Sequence, residues 1–167
     1  MKPKLIALVI ISAVVILLDQ ISKNYILQAF EYGESVDVIK NYFNITYVRN
    51  YGAAFGMLSK VQAEVRDLFF LLMPPFAMTV ILIMLRMTKP SEYIRSVALC
   101  AVFAGAMGNY IDRLRFGYVV DFLDFHYHST WAWPAFNVAD MSIVCGVTVL
   151  ILLELTTPTD ATLKKKS

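Results

Sequence analysis

Four long apolar segments constrain this chain more than any other feature of its sequence. They cover about residues 5–28, 68–86, 95–113 and 136–155, and each is close to the length that an α-helix needs to cross a bilayer core of roughly 30 Å. Only 17% of the residues are charged, whereas soluble domains carry about 25%. The sequence therefore predicts an all-α polytopic membrane protein, with four transmembrane helices in a single integral membrane domain.

The first apolar segment is predicted to be retained as a helix and not removed as a signal peptide. Asp19-Gln20 follows its most hydrophobic part, where a signal peptide would have small residues. Lysine and arginine residues then orient the four helices. Positive residues concentrate in short segments on one predicted side: Lys2, Lys4, Arg86, Lys89, Arg95 and Lys164 to Lys166. Both termini are therefore expected in the cytoplasm.

Residues 31–66, between the first two helices, are predicted to form an ordered extracytoplasmic cradle. The alternating run from Phe43 to Arg49 indicates a strand, which could pair with residues 36–39 across a short turn. Ser59 and Gln62 match a capping box at the start of an amphipathic stretch. A small β-sheet and an interfacial helix are therefore expected on the outer side.

Two of the predicted helices contain residues that affect their shape or packing. Pro74-Pro75 lies near the middle of the second helix and predicts a kink there. The third helix is rich in small residues, which permit close approach of a neighbouring helix. These residues are Ala101, Ala104, Gly105 and Gly108.

Two aspartates, Asp121 and Asp140, lie nineteen positions apart at the same predicted end of the last two helices. A carboxylate in hydrocarbon costs about 2.5–3.5 kcal/mol even on lenient insertion scales, so an aspartate there is a functional candidate. Two neighbouring carboxyls cannot easily both ionise, so they hold one proton between them. Such a pair can activate water and protonate a carbonyl oxygen, which is the chemistry of metal-free peptide hydrolysis.

Two further polar clusters belong to the first helix and to the segment that follows the predicted strand. Asp19 and Lys23 are four residues apart with the acid first, which favours an ion pair along the helix. Asn50 precedes Gly52 in a run of small residues that allows the backbone to approach another group closely. By itself, the run that contains Asn50 and Gly52 is only a weak indication of a functional site.

Two more polar clusters lie next to the paired aspartates. Asn109 and Arg113 share one face of the third helix, and the guanidinium needs an anionic or carbonyl partner at this depth. Asp112 points elsewhere and is expected to pair with Arg115 or with a helix end. Asn137 lies three residues before Asp140, so both project from one side of the fourth helix.

Several classes of ligand are not indicated by the composition. The net charge is only +2 and no basic stripe is present, which argues against a nucleic-acid partner. Cys100 and Cys145 lie in apolar runs and form no CxxC pattern. Asp124, His126 and His128 could suggest a metal, but a set of three ligands with residues that would support them is not evident. They are expected to be solvated or interfacial side chains.

Two alternative functions use some of the same aspartates. The spacing from Gly117 through Asp121 to Asp124 approaches the acidic signature of metal-dependent phospholipid phosphotransferases, although it is one residue short and the upstream acidic part is missing. A small ion-coupled carrier could use Asp19 and Asp140 as cation sites. Four helices are few for a carrier, and no inverted repeat is present.

Considered together, the polar clusters resemble those of the lipoprotein signal peptidase family, also called signal peptidase II. The resemblance is carried by four motifs that follow one another in order over nearly the whole chain. They are Asp19-Gln-Ile-Ser-Lys23, Asn50-Tyr-Gly-Ala-Ala-Phe55, Gly108-Asn-Tyr-Ile-Asp-Arg113 with Gly117-Tyr-Val-Val-Asp121-Phe122, and Pro134-Ala-Phe-Asn137-Val-Ala-Asp140.

This resemblance implies a monomeric aspartic endopeptidase of the bacterial plasma (inner) membrane, without a metal or other cofactor and with its active site at the outer face. It would cut a diacylglyceryl-modified prolipoprotein just before the lipidated cysteine, in contact with membrane lipids, and would be inhibited by the cyclic peptide globomycin. Asp121 and Asp140 would form the catalytic dyad. The resemblance assigns supporting or substrate-binding roles to Asp19, Lys23, Asn50, Gly52, Asn109, Arg113 and Asn137.

Overall fold

The computed structural model describes residues 2–52, 62–128 and 130–156. Over these residues it contains the four predicted helices, together with a four-stranded antiparallel sheet. The helices are α1 (Lys2–Ala29), α2 (Ala63–Met87), α3 (Tyr93–Phe116) and α4 (Val138–Thr156). All four are long and apolar enough to cross a membrane, so the predicted polytopic helical fold is confirmed.

Helix α3 lies at the centre of the bundle, where it packs against the other three helices. Its glycines explain this position. A Cβ atom on Gly105 would lie 2.3 Å from the carbonyl oxygen of Ala139, and one on Gly108 would lie 2.8 Å from Oδ2 of Asp19. Because the α4 backbone and an α1 side chain come this close to the two glycines, the predicted packing through small residues is confirmed. It brings α1 and α4 to the same end of α3.

Helix α2 continues through Pro74-Pro75 from Ala63 to Met87. The hydroxyl of Thr79 donates to the carbonyl oxygen of Pro75 at 2.8 Å, a side-chain bond to the residue one turn earlier in the same helix. The kink remains a prediction. Ser59, where the interfacial helix was predicted to begin, lies outside the described residues. The described residues that follow Gln62 form the first turns of α2.

The sheet lies at the end of the bundle where α1 and α3 finish and α2 and α4 begin. Its strands are β1 (Ser35–Ile39), β2 (Phe43–Asn50), β3 (Val119–Tyr127) and β4 (Trp131–Ala132), in that order. The β1–β2 hairpin was predicted and is confirmed. Strand β3 was not predicted, because its apolar residues do not alternate. Val120 and Phe122 pack in a core with Ile26 and Tyr47, while Leu123 and Phe125 line a cavity on the other face.

A sharp reversal joins α3 to β3. Gly117 adopts φ 76°, and its N–H group donates to the carbonyl oxygen of Arg113 at 3.0 Å. Only glycine adopts this left-handed conformation readily, so the residue ends the helix and turns the chain back towards β2. In the resulting register Val48 pairs with Asp121. Asp121 thus lies on the sheet, beside the start of α4.

Candidate active site

Asp121 and Asp140 line the same cavity, which has a volume of about 1430 Å³. Asp121 is 1% exposed and projects from β3, whereas Asp140 belongs to the first turn of α4. The cavity is bounded by the sheet, by the segment before α4 and by the first two turns of α4. Both aspartates singled out in the sequence are therefore brought to one site.

Three asparagine side chains hold the two carboxyl groups. Asn50 and Asn137 donate through Nδ2 to the two oxygens of Asp121, at 2.9 and 2.6 Å. Asn109 donates through Nδ2 to Oδ1 of Asp140 at 2.7 Å. Asn137 also donates to Oδ1 of Asn109 at 3.1 Å. The two aspartates are thus connected through a continuous chain of amide groups, which fixes how each carboxyl is oriented.

Asn137 and Asp140 form a reciprocal cap at the N-terminus of α4. The Asn137 carbonyl Oδ1 accepts a hydrogen bond from the backbone N–H of Asp140 at 2.9 Å, and Oδ2 of Asp140 accepts one from the backbone N–H of Asn137 at 3.3 Å. This is the geometry of a capping box, with asparagine as the N-cap and aspartate at the third helical position. The Asn-x-x-Asp spacing could have predicted this cap from the sequence, but it was not recognised.

A second ionic cluster lies directly beside the dyad. Lys23 forms ion pairs with Asp19 at 2.8 Å and with Asp112 at 2.9 Å, and all three side chains are at most 1% exposed. The Lys23 ammonium also donates to Oδ1 of Asn109 at 2.9 Å. Since Asn109 Oδ1 is occupied as an acceptor, its Nδ2 group is turned towards Asp140. Lys23 therefore contributes to the orientation of the site.

The two acidic residues of this cluster also hold backbone groups next to the dyad. Asp19 Oδ1 accepts from the N–H of Ala139 at 2.9 Å, and Asp112 Oδ2 accepts from the N–H of Val120 at 3.0 Å. Ala139 and Val120 immediately precede the two dyad aspartates. The buried carboxylates of α1 and α3 thus fix the backbone on both sides of the site.

The predicted pairing of Asp112 with Arg115 is wrong. Asp112 instead accepts hydrogen bonds from Gln20 at 2.8 Å and from Val120, and it pairs with Lys23. Arg115 donates to Oε1 of Gln20 at 3.0 Å. Sequence spacing alone could not identify Lys23 as the partner, because that residue lies on a different helix.

Arg113 and Gly52 are the remaining two site residues that the sequence predicted. Arg113 donates to the carbonyl oxygen of Asn109 at 3.4 Å, and its guanidinium lies 5.6 Å from the centre of the Phe70 ring. Gly52 adopts φ 93°, and a Cβ atom there would lie 2.2 Å from Phe70. Its N–H donates to Oδ1 of Asn50 at 2.8 Å. This glycine allows close packing and also orients the amide that contacts Asp121.

Burial and charge repulsion shift the proton affinity of the site. Burial, together with the nearby Asp140 carboxylate, raises the pKa of Asp121 to about 7. The hydrogen bonds from Asn50 and Asn137 act in the opposite direction, because they stabilise the ionised form. A carboxyl with this pKa can still hold a proton near neutral pH.

His126, in β3, and His128, in the turn after it, line a cavity that does not include Asp121 or Asp140. Nδ1 of His126 is 3.7 Å from Oδ2 of Asp124, and His128 adopts φ 51°. Within the part of the chain that the structure describes, no group of three or more His, Cys, Asp or Glu residues is arranged to hold a metal ion. The residues described at the dyad supply carboxyl, amide, ammonium and guanidinium groups.

Comparisons with known proteins agree over most of the chain. Residues 11–156 match the family model described as Signal peptidase (SPase) II. A lipoprotein signal peptidase of Syntrophus aciditrophicus is 45% identical over 152 residues, which cover 91% of this chain and 94% of that protein. The enzyme of the same name from Desulforapulum autotrophicum is 43% identical, with 88% and 90% covered.

Solved structures give the same result for the fold. A bacterial membrane enzyme determined by the in meso method at 1.9 Å resolution has a TM-score of 0.77 with this chain. It is 33% identical, and the match covers 90% of this chain and 94% of the other. A second such structure, determined at 2.3 Å, is 34% identical with the same TM-score.

Proposed function

Because this chain belongs to the signal peptidase II family, we propose that Asp121 and Asp140 are the catalytic dyad with which it cleaves a diacylglyceryl-modified prolipoprotein before the lipidated cysteine. The chain is an aspartic peptidase that processes prolipoproteins, and it is a multi-pass bacterial membrane protein with four candidate spans among its described residues. The single observation that carries the proposal is the convergence of two enclosed carboxyls on one cavity, where Asn137 contacts both.

The dyad would divide the two proton transfers of peptide hydrolysis. The ionised carboxyl takes a proton from the attacking water, and the protonated carboxyl donates one to the carbonyl oxygen of the scissile bond, which gives a tetrahedral gem-diol. As the C–N bond then breaks, the first carboxyl passes its proton to the leaving nitrogen, and the second recovers a proton from a hydroxyl of the gem-diol. The products are a free carboxyl on the signal peptide and an amino group on the cysteine. Both carboxyls start and finish the cycle sharing one proton, so neither forms a covalent intermediate and no cofactor is needed.

The surrounding residues support this role by keeping the carboxyls oriented before substrate binds. Asn50 and Asn137 hold Asp121, and Asn109 holds Asp140. Asp140 also lies in the first turn of α4, where the positive end of the helix dipole favours a negative charge. Preorganised dipoles of this kind need little rearrangement as charge develops during the reaction.

The proposed location is the bacterial plasma membrane, with both termini in the cytoplasm and the dyad at the outer face. The distribution of positive residues supports this orientation, since Arg86, Lys89 and Arg95 lie at the end of the bundle opposite the sheet. The proposed active form is a monomer. The same site would bind globomycin.

A cleavage assay with inhibitors tests this function against metal-dependent chemistry. Purified protein should convert a diacylglyceryl-modified prolipoprotein to a shorter product on a gel. EDTA should leave the rate unchanged, because no metal participates in the proposed step. Globomycin should stop the reaction. Loss of cleavage in EDTA that Mg²⁺ restores would contradict the metal-free mechanism, and failure to form any cleavage product would contradict the proposed function.

The pH dependence of cleavage should follow the raised pKa of Asp121, which is about 7. At pH values below this pKa the pair retains the shared proton that the general acid must donate. As the pH rises through the pKa, that proton is lost, and kcat/KM should fall by about tenfold for each further pH unit. Initial rates on one lipidated substrate at constant ionic strength provide the measurement. A rate that continues to rise well above neutral pH would contradict the shared-proton mechanism.

A further inference from the structure

The cavity at the dyad is larger than a peptide bond requires. Its volume of about 1430 Å³ exceeds the range of about 300–1,000 Å³ that is usual for small-molecule sites. Of the residues that the sheet contributes to its lining, Val48, Leu123 and Phe125 are apolar, whereas the others are polar or charged. The other side is α4. The apolar part of this lining is not explained by the proton transfers, which involve only the two carboxyls.

Three residues form the wall that α4 contributes, and they follow Asp140 directly. Met141, Val144 and Cys145 line the cavity, and their spacing places them on one side of the helix. At 1.5 Å per residue, this wall extends roughly 8 Å from Asp140 along the helix axis. The same side continues past the exposed Thr148 to Leu152, which is 54% exposed. The apolar surface next to the dyad is thus the part of α4 formed by Met141, Val144 and Cys145.

This surface opens sideways from the bundle. Helices α2 and α4 both pack against α3, but over the described residues they scarcely touch each other. Met141 and Val144 are 47% and 63% exposed, on a helix long and apolar enough to cross the membrane. A group at the dyad can therefore extend along α4 into the hydrocarbon without crossing the protein.

We propose that Met141, Val144 and Cys145 bind one acyl chain of the diacylglyceryl group on the substrate cysteine. This rests on the function proposed above, in which the scissile bond precedes that cysteine. Its thioether-linked glycerol then lies within a few bonds of the dyad, and its acyl chains must contact an apolar surface close by. The sheet leads towards water, whereas the α4 wall leads into the membrane. The α4 wall thus determines the preference for a lipidated substrate.

Cys145 provides a natural probe of this wall. The chain has two cysteines, of which Cys145 is exposed and Cys100 is buried. Alkylation of Cys145 with a bulky maleimide should lower kcat/KM for a prolipoprotein with palmitoyl chains by about tenfold or more, mainly through KM, because ground-state binding is lost. A substrate with butyryl chains should change by less than about twofold, since its chains end before they reach Cys145, at the far end of the wall.

Protection from alkylation gives a readout that is independent of turnover. In the Asp121→Asn protein, a saturating amount of the palmitoyl prolipoprotein should slow the alkylation of Cys145 by about tenfold or more, whereas the unlipidated precursor should not slow it. The Cys145→Ser protein controls for modification elsewhere, because the reagent should not alter its rate. A Cys145→Ser, Val147→Cys protein carries its thiol at a 39% exposed position outside the cavity, where lipidated substrate should give no protection.

The outcomes separate the two proposals. Loss of activity that is the same for palmitoyl and butyryl substrates, no loss at all, or equal protection by unlipidated precursor would overturn the acyl-chain site while leaving the dyad intact. Failure to cleave any lipidated prolipoprotein, or full cleavage by the Asp121→Asn protein, would overturn the proposed function itself. Chain-length-dependent loss together with lipid-dependent protection would establish the site.

Discussion

Replacing either Asp121 or Asp140 with asparagine is expected to reduce cleavage of a lipidated prolipoprotein by about 10²–10⁴-fold or more, which is the contribution of a positioned general acid or base. Asparagine has nearly the same shape as aspartate, but it can neither accept the proton of the attacking water nor share a proton with its partner. The measurement is kcat/KM for each variant in detergent micelles, compared with the unmodified protein.

The same experiment needs a control for folding, because both carboxyls accept hydrogen bonds from neighbouring amides. Thermal unfolding of each variant should show that the helical bundle is retained. Asp37→Asn is a matched charge removal in the same sheet, on the exposed strand β1, and it should leave cleavage unchanged. If a folded Asp121→Asn or Asp140→Asn protein keeps more than a few per cent of the activity, the dyad mechanism is wrong.

Replacing Lys23 with methionine is expected to destabilise the protein by about 3–5 kcal/mol, the usual effect of removing one partner from a buried ion pair. Lys23 is 1% exposed and contacts Asp19 and Asp112, which are completely buried. Without the ammonium, two carboxylates stay in the bundle without a cation. Asn109 also loses the donor that orients it, so residual activity should fall as well. Thermal unfolding in micelles measures the first effect.

An exposed ion pair provides the comparison. Arg95 contacts Glu154 at 3.1 Å, with side chains 27% and 74% exposed. Arg95→Gln should change the stability by less than about 1 kcal/mol, because exposed pairs contribute little. A triple variant, Lys23→Met with Asp19→Asn and Asp112→Asn, should recover part of the stability that Lys23→Met loses, since no buried charge is left unpaired. Equal unfolding temperatures for Lys23→Met and Arg95→Gln would contradict a stabilising role for the buried cluster.

The sequence predicted those helices and strands that are specified by the pattern of neighbouring residues. The four apolar segments became helices, and the alternating run in β2 became a strand paired with β1. The glycines of α3 predicted close packing, although not its partners. Strand β3 was missed because both of its faces are apolar, which removes the alternation that identifies a strand. The cap formed by Asn137 and Asp140 was local and could have been found.

The composition and the length of the apolar segments determined a four-helix membrane protein with aspartates at one end, because helix formation in lipid depends on local length and polarity. Only the tertiary structure decided which polar groups meet. Asp19 holds the N–H of Ala139, 120 residues away, and Lys23 contacts Asn109 across 86 residues. A buried polar group must find a partner wherever the fold brings one within hydrogen-bonding distance, and no local pattern specifies a contact of that range.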